Sequence, residues 1–302
     1  MTAVSSAVSS AVLRGLQTLF HYNGFMFKRI YIEITNVCNL SCSFCLKTGR
    51  TPCFLEPGEF RRIASQARKH TDYLYLHVQG EPFLHPYLDT ILSICDELLF
   101  SVQLVTNGTL LDRHPLVLEH ACLRKLSISL QSVDFQSNDN LPAYMDAVLA
   151  FAERASGQGV YTELRFWRLD ELQKESGSYC LERIKERYEL HKTERRNSYR
   201  LKDRLFLSFA NEFEWPAISA STEEEVYGTC LGARQQIAIL SDGTVVPCCL
   251  DAGGNVPLGS LRENTLDEII NGSRCQELIR QFQTHRIKEP FCRNCTFRKR
   301  FG

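Results

Sequence analysis

The chain reads as an α/β protein: a partial (β/α)6 barrel, two units short of the eight-stranded TIM-like form, followed by a small Cys-rich α+β module. Three observations predict this. Between Lys28 and Phe209 short β-branched or aromatic runs alternate with helical stretches. After Trp215-Pro216 that alternation gives way to a hairpin pattern. Thirteen cysteines fall largely into two short-spaced sets, one in each region.

The strand candidates are KRIYIEI (28–34), DYLYLHV (72–78), SVQLVT (101–106), KLSISLQ (125–131), VYTELRFW (160–167) and RLFLSF (204–209). Each is short and rich in residues that suit a pleated surface. Between most of them EPGEFRRIASQARKH, YLDTILSICDELL, PLVLEHAC and PAYMDAVLAFAERAS read as helices. Strands separated by helices imply parallel neighbours in one sheet. The stretch from Asp170 to Arg204 is highly charged, and its LERIKERYELHKTERR reads as an exposed helix laced by pairs four residues apart. With nine Lys/Arg against five Asp/Glu over 182–204, a face for RNA or peptide is the alternative reading.

Beyond Trp215-Pro216, QQIAILSDGTVVPCC reads as two strands around an Asp242-Gly243 turn. One or two helices follow in LGSLRENTLDEIINGSRCQELIRQFQTH, then the cysteine pair of FCRNC. The expected organisation is a poorly structured extension over 1–26, a barrel over 27–216 and a Cys-bearing module over 217–302. The extension has the Ser/Ala/Val composition of a transit peptide but only one arginine, Arg14.

Lys+Arg and Asp+Glu are equal at 35 each, so the broad electrostatic footprint of a nucleic-acid or membrane binder is missing. No apolar run has the length of a membrane span. An odd cysteine count in short-spaced clusters suits metal or iron–sulfur binding in a reducing compartment, the cytoplasm, better than a disulfide framework. Cys53, Cys95, Cys122, Cys180 and Cys275 are scattered and read as packing thiols.

The chemistry concentrates in CNLSCSFC, directly after the first strand. Cys38, Cys42 and Cys45 can hold three corners of a four-iron cluster, since thiolates are the usual protein ligands of such clusters. Three ligands leave one iron open to a substrate or cofactor, the logic that separates catalytic from structural metal sites. A C-x3-C-x2-C run in this position, with Phe44 before its last cysteine, resembles the radical S-adenosylmethionine (SAM) superfamily. The resemblance implies a [4Fe-4S] cluster on these three cysteines whose open iron binds SAM. It also implies reductive cleavage of SAM to a 5′-deoxyadenosyl radical that abstracts hydrogen from a substrate.

Other strand ends extend the resemblance. VQGEPFLHP looks like the family's Gly-Glu-Pro element, which would put the Gly80 backbone near SAM and Glu81 on its ammonium. LVTNGTLL resembles a Thr-Asn-Gly turn, so Asn107 sits either in plain turn chemistry or near the cofactor. Ser129 and Gln131 match positions that touch SAM in relatives, and Arg165 ends strand five. This chain lacks the Asp-Gly and His-Asp-x-x-Arg stretches that follow strand four in many relatives; it has SVDFQSNDNLPAY there, and Arg165 is the candidate replacement for the missing arginine.

Cys230, Gly243, Cys248, Cys292 and Cys295 form C-x12-G-x4-C, a gap and C-x2-C. This resembles the SPASM module of radical SAM enzymes, or its shorter twitch form, and implies a second [4Fe-4S] cluster with all four irons held by protein. A structural zinc on the same four thiolates is the alternative. Cys249 adjoins Cys248, and in an extended segment the two side chains point to opposite faces, so Cys248 is the ligand by its offset from Gly243.

The resemblance implies an oxidoreductase or modifying enzyme acting on a peptide or protein, or on a small sugar-like alcohol. It also implies an external electron donor such as flavodoxin or ferredoxin. Modification of an RNA base is a further reading, against which the balanced charge weighs. A non-catalytic iron–sulfur electron carrier or sensor is another, against which the SAM-binding elements weigh. Tyr75, His77, His85, Glu163, Arg165 and Trp167 lie near strand ends, each read as structural or SAM-adjacent; no general acid or base is singled out.

Overall fold

A computed structural model describes residues 27–135, 140–166, 175–195, 197–210, 215–216 and 226–301. The 1–26 extension, Trp167 and the first residues of the expected C-terminal module lie outside the described residues.

The six sequence-predicted strands form and pair in parallel. β1 (Arg29–Ile32), β2 (Tyr73–Tyr75), β3 (Ser101–Thr106), β4 (Leu123–Ser129) and β5 (Tyr161–Phe166) are neighbours in chain order. Helices α1 (Pro57–Ala67), α2 (Leu88–Glu97) and α3 (Leu141–Gly157) connect them and cover the outer face. The charged stretch departs from expectation. Helix α4 (Glu175–Arg187) ends early, and β6 (His191–Lys192) and β7 (Ser198–Lys202) form an antiparallel hairpin. β7 then pairs antiparallel with β8 (Leu205–Phe209), the sixth barrel strand, which runs parallel to β5. The hairpin turns at Asn197, which has φ 56°, a conformation that a continuing helix excludes.

PLVLEHAC also departs from expectation, closing into a short 3-10 turn at Val117–Glu119. Side chains of α2 hold it tightly. Asp89 lies 2.8 Å from His114 Nδ1, and Asp96 lies 2.7 Å from His120 Nδ1 while accepting from the Cys122 amide at 2.6 Å.

Beyond β9 (Val226–Tyr227) the C-terminal residues join the same sheet. β10 (Gln236–Ile239) pairs in parallel with β1, and β11 (Thr244–Val246) and β12 (Gly259–Ser260) follow antiparallel. Among the described residues one eleven-stranded sheet runs β12-β11-β10-β1-β2-β3-β4-β5-β8-β7-β6. Helices α5 (Leu266–Asn271) and α6 (Ser273–Gln283) follow, then β13 (Arg286–Ile287), which pairs with β9, and the short α7 (Pro290–Arg293). No helix among the described residues is long and apolar enough to cross a membrane.

Strand periodicity decides what faces where. Ile30, Ile32, Leu74, Val102, Leu104, Leu126, Ile128 and Leu164 point outward and are fully buried with Phe60 and Ile63 of α1. Their neighbours point inward. Tyr31, Tyr75, Gln103, Lys125 and Tyr161 occupy one register row across five strands. A filled barrel would carry branched aliphatic side chains there. Here the row carries tyrosines, a glutamine and a lysine instead, and Tyr31, Tyr75 and Gln103 line a cavity of about 720 Å3.

Candidate active site

The loop after β1 carries Cys38, Cys42 and Cys45 to the cavity mouth. Its shape is set locally. Thr35 Oγ1 donates to the Cys53 carbonyl at 2.8 Å and accepts from the Val37 amide at 3.0 Å. Asn36 grips the returning chain through both ends of its amide, donating to Thr51 O at 2.9 Å and accepting from Cys53 N at 2.7 Å. Further along, the Cys45 amide donates to Cys42 O at 3.2 Å, a tight turn that brings the two thiols to one side. The Leu40 amide lies 3.4 Å from Cys38 Sγ and Asn107 Nδ2 lies 3.9 Å from it, donors of the kind that tune a cluster's sulfurs.

Gly80 and Glu81 brace this loop. Gly80 has φ 75°, and a Cβ there would stand 2.4 Å from Thr35 O and 2.8 Å from Val37 O. The missing side chain therefore makes room for the cysteine loop itself. Glu81 is buried and its amide donates to Val37 O at 2.9 Å. Its carboxylate accepts from Phe83 N at 3.0 Å, Thr106 Oγ1 at 2.8 Å and Asn107 N at 2.7 Å, tying the end of β2 to that of β3. Burial outweighs these donors and pushes its pKa up to about 7. Of the roughly four acceptor positions of a carboxylate, one is left for a ligand.

Ser129 ends β4, and Gln131 lies in the 3-10 turn that follows. Arg165 Nη2 donates to Ser129 Oγ at 3.0 Å, while Arg165 Nε and Gln131 Oε1 are buried with no hydrogen-bond partner. Both residues line the cavity with Phe44, Gly80, Glu81 and Asn107, so every expected SAM-contact residue reaches one space. Burial lowers the Arg165 pKa, partly offset by Glu163.

The other strand-end candidates separate. Burial raises the Glu163 carboxyl, but the Lys125 ammonium 2.8 Å away, together with Ser208 and Arg165, outweighs it and the net shift is downward. His85 is fully buried and uses both ring nitrogens: Nδ1 accepts from the Tyr87 amide and Nε2 faces the Leu55 carbonyl, each at 3.1 Å. His77 and Tyr75 line the cavity.

In the C-terminal region Gly243 (φ 89°) makes the β10–β11 turn and sets Cys248 at the end of the hairpin. The charges of Cys230 and Cys292 both act on Cys248, while Cys249 lies against Tyr31 and Arg29 on the cavity side. Residues 247–250 form a bend and a turn rather than an extended segment, so the strand alternation expected for the two thiols does not apply. Burial pushes the Cys230, Cys248, Cys292 and Cys295 thiols up, whereas the thiolate is the form that binds a metal. Among the described residues no group of three or more His, Cys, Asp or Glu side chains is placed to hold a metal ion.

Three residues of the site escaped sequence reasoning. Arg298 is buried and donates to Cys292 O, Tyr227 O and Arg293 O at 3.1, 3.2 and 3.3 Å, clamping the Cys292–Cys295 turn. Trp215 Nε1 donates to Phe44 O at 2.8 Å, fixing the cysteine loop from above. Arg50 joins Glu33 in a buried ion pair behind it. None belongs to a spaced motif; Arg298 stood only three residues beyond a motif cysteine, the one available signal.

Residues 32–165 match the sequence profile of the radical SAM superfamily, and residues 230–296 match that of SPASM, an iron–sulfur cluster-binding domain. Both cysteine sets lie inside these segments. Curated relatives include GTP 3′,8-cyclases of Staphylococcus aureus strains RF122 / ET3-1 and JH9, 28% identical over 143 residues, 43% of this chain and 42% of theirs. The chain thus spans less than half the length of these relatives. Similar solved structures include BtrN in complex with AdoMet and 2-DOIA, 15% identical over 90% of this chain and 93% of that one, TM-score 0.56. Another is anSMEcpe with AdoMet and the Kp18Cys peptide, 15% identical over 83% and 82%, TM-score 0.57. At this identity they show the shared fold.

Proposed function

The chain carries a radical SAM domain followed by a SPASM iron–sulfur cluster-binding domain, and from that premise we propose that it is an enzyme that removes hydrogen from its substrate by radical chemistry. The net result is oxidation or modification of a peptide or protein, or of a small sugar-like alcohol. Cys38, Cys42 and Cys45 would hold the [4Fe-4S] cluster that binds SAM, and Cys230, Cys248, Cys292 and Cys295 a second one. When bound, the first cluster and SAM together supply the radical that takes hydrogen from carbon.

The chain's own residues prepare that site. Asn107 directs its amide toward Cys38 and toward Asn39 Oδ1 at 3.0 Å, holding the loop against the end of β3. Glu81 fixes the same strand end and keeps one acceptor position for an ammonium group. Arg165, anchored on Ser129, offers its unpartnered Nε to a carboxylate or hydroxyl, and Gln131 Oε1 offers an acceptor. Trp215 and Phe297 line the same cavity. Two solved neighbours bind 2-DOIA and a peptide respectively, which supports keeping both substrate classes. A flavodoxin- or ferredoxin-type protein in a reducing compartment suits the electron supply.

The observation that carries this reading is the convergence of three loop cysteines and the partnerless polar atoms of Gln131 and Arg165 on one cavity. The test is anaerobic incubation of the reconstituted, dithionite-reduced chain with SAM. Release of 5′-deoxyadenosine is expected. Its absence from a cluster-replete sample would sink the enzyme reading and favour an electron carrier.

A further inference from the structure

The proposed chemistry gives no role to the two-stranded ribbon of β9 and β13, which stands apart from the main sheet. The ribbon sets Tyr227 opposite Arg286, so the two side chains share a face. Tyr227 is 81% exposed, and its ring stacks on His285 at 5.4 Å. Basic residues crowd the same segment: 285–301 holds six Lys/Arg against a single acid, Glu289. Arg274 already engages that acid at 2.5 Å. Lys288, Lys299 and Arg300 are exposed, and among the described residues none of the three has an ion-pair partner. Arg300 lies over the Phe297 ring at 4.4 Å instead. Arg298 donates to both Tyr227 O and Cys292 O, which ties the ribbon to the half-buried Cys292–Cys295 turn.

We propose that this basic face is the docking surface for an acidic one-electron carrier protein, which collects the electron left over from substrate oxidation. The assignment rests on the radical SAM reading and adds the surface that its redox partner uses. A net oxidation takes from the substrate one hydrogen atom, one proton and one electron. That electron leaves by way of the C-terminal cysteine set. The docked carrier is reduced by one electron, and the centre on those cysteines returns to its oxidised form.

Three features select this partner. The chain as a whole has no net charge, so the excess of cations over 285–301 is a local asymmetry that steers an acidic surface to one place. The patch is small, which suits a transient redox complex burying less than roughly 1,200 Å2 in all. An exposed tyrosine among arginines is the composition that anchors protein partners. RNA would meet the same cations, but single strands are held on successive aromatic platforms, and this face offers one stacked pair. Glu223, Glu224 and Glu225 precede β9 in the sequence, and the salt dependence measured below reads their charge with the rest.

The test titrates isotope-labelled, oxidised flavodoxin, an acidic carrier, with the full reconstituted chain under anaerobic conditions and follows binding by NMR. Saturable binding is expected, weakening at least tenfold as salt rises to roughly 0.5 M. The combined variant Lys288→Glu, Lys299→Glu and Arg300→Glu should weaken binding about tenfold or more at low salt. The control, Lys185→Glu, Lys192→Glu and Arg200→Glu, makes the same change in net charge on and beside the β6–β7 hairpin, at the far edge of the sheet from β10–β12. It should shift binding less than about twofold. Thermal melts establish that both variants fold. Stopped-flow mixing of the reduced chain with oxidised flavodoxin should show one-electron reduction of the flavin slowed in step with binding. No binding of flavodoxin, indifference to salt, equal loss in both variants, or poly(U) binding lost in the first variant while flavodoxin binding persists would each overturn the assignment. Release of 5′-deoxyadenosine with dithionite needs no carrier and is scored separately, so failure of the docking surface is distinguishable from failure of the enzyme reading.

Discussion

Arg50 Nη2 lies 2.6 Å from Glu33 Oε1, and Glu33 is fully buried. The pair joins the two cysteine-bearing regions. Glu33 Oε2 also accepts from the Ser241 amide at 3.0 Å and its hydroxyl at 2.9 Å, at the β10–β11 turn. Arg50 Nε reaches the Ala252 carbonyl at 2.8 Å, just past Cys248 and Cys249. Removing one partner of a buried pair strands a charge, so Arg50→Met should cost about 3–5 kcal/mol in urea unfolding. Adding Glu33→Gln should recover part of the loss, because the two changes are coupled. Additive losses would mean that the pair contributes nothing as a pair.

Gly80→Ala should loosen the cysteine loop. A Cβ would meet Thr35 O at 2.4 Å, and the backbone stands at φ 75°. The left-handed conformation alone costs an alanine about 1 kcal/mol, and the clash adds to it. The expected outcome is a lower melting temperature together with poorer iron retention at Cys38, Cys42 and Cys45. Unchanged iron content would show that the loop tolerates displacement.

The adjacent thiols Cys248 and Cys249 should behave oppositely. Cys248→Ala removes a ligand and should lower iron by about four per chain after reconstitution, whereas Cys249→Ala should leave iron unchanged. The reverse result would reassign the ligand.

His85 makes acid stability depend on a residue outside the site. Burial, opposed by its bond to Leu55 O, pulls its pKa from 6.5 down to about 4. The folded state thus binds fewer protons than the unfolded state between those values. The contribution is complete above pH 6.5 and is lost as pH falls toward 4, at no more than about 1.4 kcal/mol per pH unit. His85→Gln should flatten the fall of melting temperature between pH 6.5 and 4. An unchanged slope would locate the acid sensitivity elsewhere.

How much of this was legible depends on what each residue does. The six barrel strands were readable because their outward residues, such as Ile30, Ile32 and Leu74, must be buried against helices. The same alternation carried Tyr31, Tyr75 and Gln103 inward, but only pairing register shows that they share a row. The β6–β7 hairpin was hidden because a charged, helix-like composition competes with local backbone turns, and strand pairing with β8 decided the outcome. The cysteine sets were legible from spacing. Glu33, Arg50 and Arg298 were not, since their partners are backbone atoms or residues distant in sequence.

The central claim is that the two cysteine sets hold two four-iron clusters, one of them built for SAM. The most direct measurement is an anaerobic count of iron, sulfide and zinc per chain, made on the wild type and on the Cys38/Cys42/Cys45→Ala variant. About eight irons with matching sulfide in the wild type, and about four in the variant, are predicted. About four irons with one zinc in the wild type, and zinc alone in the variant, would make the C-terminal cysteines a structural zinc site and contradict the account.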